Sequence, residues 1–224
     1  MNDNSLGEAG GEASRKFEKL SRQNQERHQN RNLLYKVLAK MLNVDSKDNH
    51  KEDIWRKGAV GEIAVGKSLD QIAVKHNFFV LHDRAIPGSV ANIDHILVTP
   101  FAVFVIDAKN YQGLVKIVDP PLFDASSSPI LYVGSRKQTV LINKLHKQIA
   151  LVSEKLKAIK SEIPVYGVLA FYDAEWPIFF KPTEIDGVLI NGKGIEAAIL
   201  SKKSEINLEV NLIAKLIAEK FKNK

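Results

Sequence analysis

The stretch N-I-D-H-I-L-V-T-P-F-A-V-F-V-I-D-A-K-N-Y-Q-G, residues 92–113, sets the architecture of the chain. It contains two apolar runs with the length of β-strands, joined by a short turn. Asp94 lies near the start of the first run, and Asp107 and Lys109 lie at the end of the second. Because side chains alternate along a strand, Asp107 and Lys109 share a face. The stretch therefore predicts a β-hairpin with two carboxylates and an ammonium in its polar segments.

Charged side chains at the end of an apolar hairpin are costly unless they bind something. Carboxylate oxygens are the ligands that Mg²⁺ prefers, and a nearby ammonium can orient a phosphate and the attacking water. The pattern favours a hydrolase of phosphodiester bonds. Two alternatives stay open: Asp94 caps a strand, and Asp107 and Lys109 form a structural ion pair, which contributes little stability at a surface.

Residues 61–68, G-E-I-A-V-G-K-S, fit the expression for the phosphate-binding P-loop of an NTPase. A P-loop needs a buried strand before its first glycine, whereas residues 51–58 read K-E-D-I-W-R-K-G. The interior E-I-A-V instead continues an amphipathic helix predicted over residues 55–76. The NTPase is therefore a minor alternative, and Glu62 becomes a further acidic candidate for the metal site.

The composition is that of a basic globular protein without cysteine. The 224 residues are 45% hydrophobic and 26% charged, with a net charge of +6 that permits a polyanionic partner. The lack of cysteine excludes disulfides and cysteine-ligated metal centres. No apolar run approaches the roughly 20 residues that span a bilayer. The first residues do not resemble a signal peptide, so a cytoplasmic location without membrane association is expected.

Three regions follow one another along the chain. Residues 1–13, rich in Gly, Asn and Glu, are expected to be disordered. Residues 14–53 are predicted to form a basic helical arm and a charged linker, and residues 54–224 form the globular domain. The arm is either a solvated or coiled-coil-like helix, which could mediate homo-oligomers or bind a protein partner, or a segment that follows nucleic-acid phosphates. Its candidate phosphate contacts are Arg22, Arg27 and Arg31.

Hydrophobic periodicity predicts the order of elements in the globular domain. A helix is followed by three strands, the first two separated by a turn at 84–91, and then by short strands at 114–118 and 130–133. A long amphipathic helix over residues 137–160 and an apolar strand over residues 165–171 come next. A weaker strand at 187–190 and helices at 194–200 and 205–221 close the chain. The order αβββαβ indicates an α/β fold in which helices flank a central sheet.

Four segments together resemble the nuclease-related domain (NERD) family, which is grouped with the PD-(D/E)xK nuclease superfamily. They are G-x-x-G-E at 58–62, L-H-D at 81–83, I-D-H-I-L-V at 93–98 and V-I-D-A-K-N-Y-x-G at 105–113. The resemblance covers about residues 55–171. It implies a restriction-endonuclease-like fold with a mixed sheet and hydrolysis of nucleic acid with Mg²⁺ or Mn²⁺. DNA is the expected substrate, although no motif separates DNA from RNA.

The resemblance also implies a role for each matching residue. Asp94 and Asp107 correspond to the metal ligands, aided by the carbonyl of Ala108 and by Glu62 as an accessory carboxylate. Lys109 corresponds to the lysine that positions or polarises the water. The same residues without turnover would make a non-catalytic module that binds nucleic acid.

Three residues near the start of the second helix complete the expected site. Gln138 matches a glutamine of the superfamily, although Arg136-Lys137 stands where Asn-Pro is usual. Arg136 and Lys137 are expected to contact nucleic acid.

His95 follows Asp94 and therefore faces the other side of its strand, where a packed or hydrogen-bonded role is expected.

Overall fold

The computed structural model describes residues 50–121, 128–157, 163–177, 183–192 and 194–222, with side chains from Val60 onward. The predicted N-terminal segment and arm, with Arg22, Arg27 and Arg31, lie outside the described residues. In the part of the chain that the structure describes, every helix is too short or too polar to span a bilayer.

The elements follow the predicted order, with short additions. They are α1 (His50–His76), β1 (Phe79–Ala85), β2 (Asn92–Val98), β3 (Val103–Lys109), β4 (Val115–Val118), β5 (Ile130–Val133), β6 (Arg136–Lys137), α2 (Thr139–Lys157), β7 (Val165–Phe171), β8 (Thr183–Ile185), β9 (Val188–Asn191), α3 (Ile195–Leu200) and α4 (Val210–Lys220). The αβββαβ core is therefore confirmed, with β4, β5 and β6 inserted between β3 and α2.

Six strands form a mixed central sheet in the order β1-β2-β3-β7-β9-β8. Strands β1, β2 and β3 pair antiparallel, while β3, β7 and β9 pair parallel. The parallel pair β3–β7 requires a long crossover, which the inserted strands and α2 supply. The remaining strands form a separate sheet in the order β4-β5-β6.

Helices cover both faces of the central sheet, as predicted. On one face, α1 packs against β1, β2 and β3, and α3 packs against β9, with Leu69, Phe104 and Ile199 in one cluster. On the other face, α2 packs against β3, β7 and β9, and α4 packs against β1 and β2, with Leu145, Val105 and Ile217 in one continuous cluster. The small sheet adds Val115, Leu131 and Val133 to that second cluster.

Two parts of the expected outline were wrong. Pro87-Gly88 predicts a turn over residues 84–91, yet β1 continues to Ala85 and Arg84 is buried within it. Strand β8 was not predicted, although Asp186-Gly187 joins it to β9 with both residues at positive φ. Asp-Gly is a strong signal for this two-residue hairpin turn, and the signal was overlooked.

The last helix leads into the edge of the central sheet. Phe221 is fully buried in the core, and its carbonyl accepts a 3.5 Å contact from Nη1 of Arg84. The next carbonyl, of Lys222, accepts a 2.8 Å hydrogen bond from the N–H of Ala85. The end of the described chain thereby closes part of the edge of β1.

Candidate active site

The site begins where the ladder between β2 and β3 ends. The outermost pair of the ladder joins His95 to Ile106, and the next residues outward are Asp94 and Asp107. In an antiparallel pair, such opposed residues share a face of the sheet. The backbone N–H of Ala108 donates to Oδ2 of Asp94 at 3.0 Å. Beyond the last backbone pair, the side chain of Asp94 therefore links β2 to β3.

Lys109 lies on the same face and is joined to Asp107. Its Nζ donates to Oδ1 of Asp107 at 2.6 Å and to the carbonyl of Ala108 at 3.1 Å. Only 22% of the lysine side chain and 16% of the aspartate side chain are exposed. The structure therefore brings Asp94, Asp107, Ala108 and Lys109 together at one point of the sheet.

The carboxylates repel one another. Burial raises the pKa of Asp94 well above its usual range, and the neighbouring charges of Asp107 and Glu62 raise it further. Lys109 and the N–H of Ala108 oppose this rise without cancelling it. A group of acids in this state gains stability when additional positive charge arrives.

Lys109 keeps its proton. Burial alone would lower the pKa of this ammonium, but the charges of Asp107 and Asp94 outweigh burial and raise the pKa. At neutral pH Lys109 is therefore a fixed cation rather than a base. It can hold a phosphate or a water oxygen by donating hydrogen bonds.

Glu62 reaches the site from α1 because the helix approaches β3 closely. A Cβ atom at Gly61 would lie 2.6 Å from Cβ of Asn110, the residue after Lys109. Glycine therefore permits the contact, and the next residue, Glu62, acts on the charge of Asp94. The same helix contains residues 61–68 in full, so this segment is not a phosphate-binding loop.

Gln138 begins the connection into α2. Its N–H donates to the carbonyl of Leu131 at 2.8 Å, and its carbonyl accepts from the N–H of Leu141 at 2.9 Å. These bonds fix its backbone, while its part in catalysis stays a prediction. Arg136 and Lys137 form β6, are exposed, and alternate to opposite faces of the small sheet.

The donor set suits a hard cation in part. Asp94, Asp107 and the carbonyl of Ala108 offer the oxygen ligands that Mg²⁺ and Mn²⁺ take. Within the described ranges, no group of three or more His, Asp or Glu side chains is arranged to hold an ion. Mg²⁺ commonly uses one or two carboxylates, with waters and substrate phosphates in its other positions. The raised pKa of Asp94 and this donor chemistry together fit such an open site.

The opposite face of β2 carries a buried polar chain. His95 is fully buried, as expected, and its Nδ1 lies 2.8 Å from Nδ1 of His82, its partner on β1. Nε2 of His82 lies 3.0 Å from Oδ1 of Asp70 on α1. One of these two Nδ1 atoms must carry a proton and donate it, and the other must be unprotonated and accept the hydrogen bond. We call Asp70, His82 and His95 the histidine chain.

Comparison with known proteins identifies this arrangement. The family model described as nuclease-related domain, NERD, matches residues 57–172, about half of the chain. The chain belongs to the NERD family. The matched residues run from α1 to the end of β7, and they include Glu62, Asp94, Asp107, Lys109 and Gln138. The NERD assignment implies a nuclease-related function and confirms the predicted resemblance.

A curated relative matches about half of the chain. The NERD chain is 26% identical over 120 residues to an uncharacterized protein of Bacillus anthracis. The alignment covers 52% of this chain and 53% of that protein, so the chain spans about half the length of the relative. No solved structure matches the chain.

Two features near the NERD site were missed in the sequence. The histidine chain could have been suspected from His82 and His95, which lie in neighbouring strands of the predicted hairpins. Asp83 lies between the pairs that join β1 to β2, opposite Asp94, with φ of 52°. Aspartate tolerates this left-handed conformation better than most residues, and Oδ1 of Asp83 accepts a 2.7 Å hydrogen bond from Asn92.

Proposed function

We propose that this chain is a metal-dependent nuclease that hydrolyses phosphodiester bonds, with DNA as the expected substrate. One observation carries the proposal: Asp94 and Asp107 lie side by side at the end of a ladder, and their mutual repulsion helps to raise the pKa of Asp94. Family membership supports the same class of reaction.

Each residue has a role that its position supports. Asp94 and Asp107 would hold Mg²⁺ or Mn²⁺ together with the carbonyl of Ala108, and Glu62 would add negative charge from α1. The bound ion would lower the pKa of a water and offset charge on the phosphate. Lys109, a protonated donor on the same face, would orient the phosphate or the attacking water.

The experiment is a cleavage assay on supercoiled, linear and single-stranded DNA, with Mg²⁺, Mn²⁺ or EDTA. The variant Asp107→Asn keeps the side-chain size and removes the charge, and we expect cleavage to fall by at least about 10²-fold. Asp186→Asn is the matched control, because it makes the same change in the β8–β9 turn. Equal cleavage by wild type and Asp107→Asn would refute the proposal.

One observation favours a second candidate, a binding module without turnover. Lys109 occupies Oδ1 of Asp107 at 2.6 Å, and no cluster of three side-chain ligands is present in the described part of the chain. If the ammonium of Lys109 stays bound to Oδ1 of Asp107, it occupies the place at this carboxylate that a metal ion would take. Binding of DNA without cleavage under every metal condition would support this alternative.

A further inference from the structure

A row of three side chains crosses the small sheet. Tyr132 on β5 pairs directly with Lys116 on β4 and with Lys137 on β6. Directly opposed residues in antiparallel strands share a face, and neighbouring strands lie about 4.8 Å apart. The two lysine backbones therefore flank the tyrosine about 10 Å from each other.

This face points away from the core. The alternate residues Val115, Leu131 and Val133 are buried in the cluster beneath α2. Lys116 and Lys137 are exposed, and Tyr132 is half-buried. The small sheet thus has an apolar inner face and an outer face with an aromatic ring between two cations.

The outer face has the charge and shape that a polyanion with planar groups requires. The strands β4, β5 and β6 contain three basic side chains and no acidic one, and Asp119 follows directly after β4. Unpaired bases stack on aromatic rings, while lysines bind the phosphates on either side. A duplex cannot use this contact in the same way, since its bases are already stacked.

We propose that the outer face of β4–β5–β6 binds single-stranded DNA, with one base stacked on Tyr132 and phosphates on Lys116 and Lys137. We call these three residues the stacking platform. The proposal rests on the proposed function for the class of partner, and it adds the preference for an unpaired strand.

The stacking platform lies close to the candidate active site along the chain. Lys116 follows Lys109 by seven residues, which span at most about 25 Å. The connection is held down at Gly113, whose φ is 110° and where a Cβ would lie 2.9 Å from the backbone of Gly134. A single strand of a few nucleotides is long enough to span such a distance.

The test measures binding without chemistry. The full chain is titrated into a fluorescent thymidine oligonucleotide of about 12 nucleotides in EDTA, at two salt concentrations, with anisotropy as the readout. We expect Tyr132→Ala to raise Kd by about 5- to 150-fold. Tyr132→Phe should bind within about twofold of wild type, because the ring and not the hydroxyl makes the contact.

Charge variants separate the two faces of the small sheet. Lys116→Ala and Lys137→Ala should each weaken binding and reduce the salt slope by about 0.7. Arg136→Ala removes the same charge from the other face and should have a smaller effect than Lys137→Ala. Lys203→Ala, in the segment after α3, controls for net charge.

Three results would overturn the stacking platform. They are no binding of the single strand by wild type, unchanged affinity in a folded Tyr132→Ala variant, and equal affinity for a duplex of the same sequence. Thermal melting checks that each variant is folded. The nuclease proposal can fail independently of the stacking platform. If Tyr132→Ala loses affinity and wild type does not cleave DNA, the stacking platform is supported and the nuclease proposal is refuted.

Discussion

Strand β2 presents titratable side chains on both faces, and the surroundings of these side chains differ between the two faces. On one face, Asp94 is buried beside other acids and its pKa is raised. Additional positive charge near Asp94 would therefore stabilise the folded chain. On the other face, His95 contacts His82, and His82 contacts Asp70, within the histidine chain. Because consecutive side chains point apart, neighbouring residues can serve binding and stability separately.

The largest effect is expected on the acidic face. Lys109→Ala removes the fixed cation and should reduce metal-dependent cleavage by at least about 10²-fold, as loss of an electrostatic stabiliser does. Cleavage rates per folded molecule measure this, with Lys203→Ala as the charge-matched control. Full activity in Lys109→Ala would show that the acidic face does not act as proposed.

A large effect on stability is expected on the opposite face. His95→Ala opens a space in the core and leaves His82 with an unmatched nitrogen, which should cost about 2–4 kcal/mol. Thermal unfolding should shift down by about 5–15 °C. If cleavage instead falls while the melting temperature is unchanged, the two faces are not separate in function.

A smaller effect on stability is expected at the contact between α1 and β3. Alanine stabilises an open helical position by about 0.8–1.0 kcal/mol over glycine. At Gly61 the added Cβ meets Asn110 at 2.6 Å, so Gly61→Ala should instead lose about 1–3 kcal/mol. Denaturant unfolding gives the sign, and a gain in stability would show that α1 can move away without cost.

The smallest expected effect is a gain in stability, at Asp94. The pKa of Asp94 is higher in the folded chain than in the unfolded one, so ionisation lowers stability as pH rises from about 3.9 to the raised value. Asp94→Asn never ionises and its oxygen can still accept from Ala108. We expect the variant to melt a few degrees above wild type, by about 2–4 °C per kcal/mol, with a difference that grows with pH.

This last measurement is made in EDTA and repeated with Mg²⁺. The ion should stabilise wild type and remove the advantage of Asp94→Asn, because it supplies the missing positive charge. A variant that melts below wild type in EDTA at neutral pH would contradict the assigned cause of the raised pKa.

The central sheet was predictable because its strands are long and apolar. Strands β2, β3 and β7 and helices α1 and α2 were recognised from periodicity, and the opposition of Asp94 to Asp107 follows from the hairpin that joins their strands. The resemblance to the NERD family added Gln138.

Features that depend on contacts between distant segments could not be obtained in this way. Strand β6 has two residues and shows no periodicity of its own. Asp70 and His82 meet only because α1 packs on that face of the sheet, and Tyr132 gains its neighbours through the register of three short strands. These contacts are tertiary, and single-segment patterns do not encode them.

The final residues have a consequence for how the family is delimited. Phe221 fills the core, and the carbonyl of Lys222 occupies a hydrogen-bonding position on an outer strand, yet both lie some fifty residues beyond the homologous region. The family match and the folded core thus end at different residues in this chain. Transplanted alone, residues 57–172 would expose a hydrophobic surface and an open strand, and would be prone to aggregate.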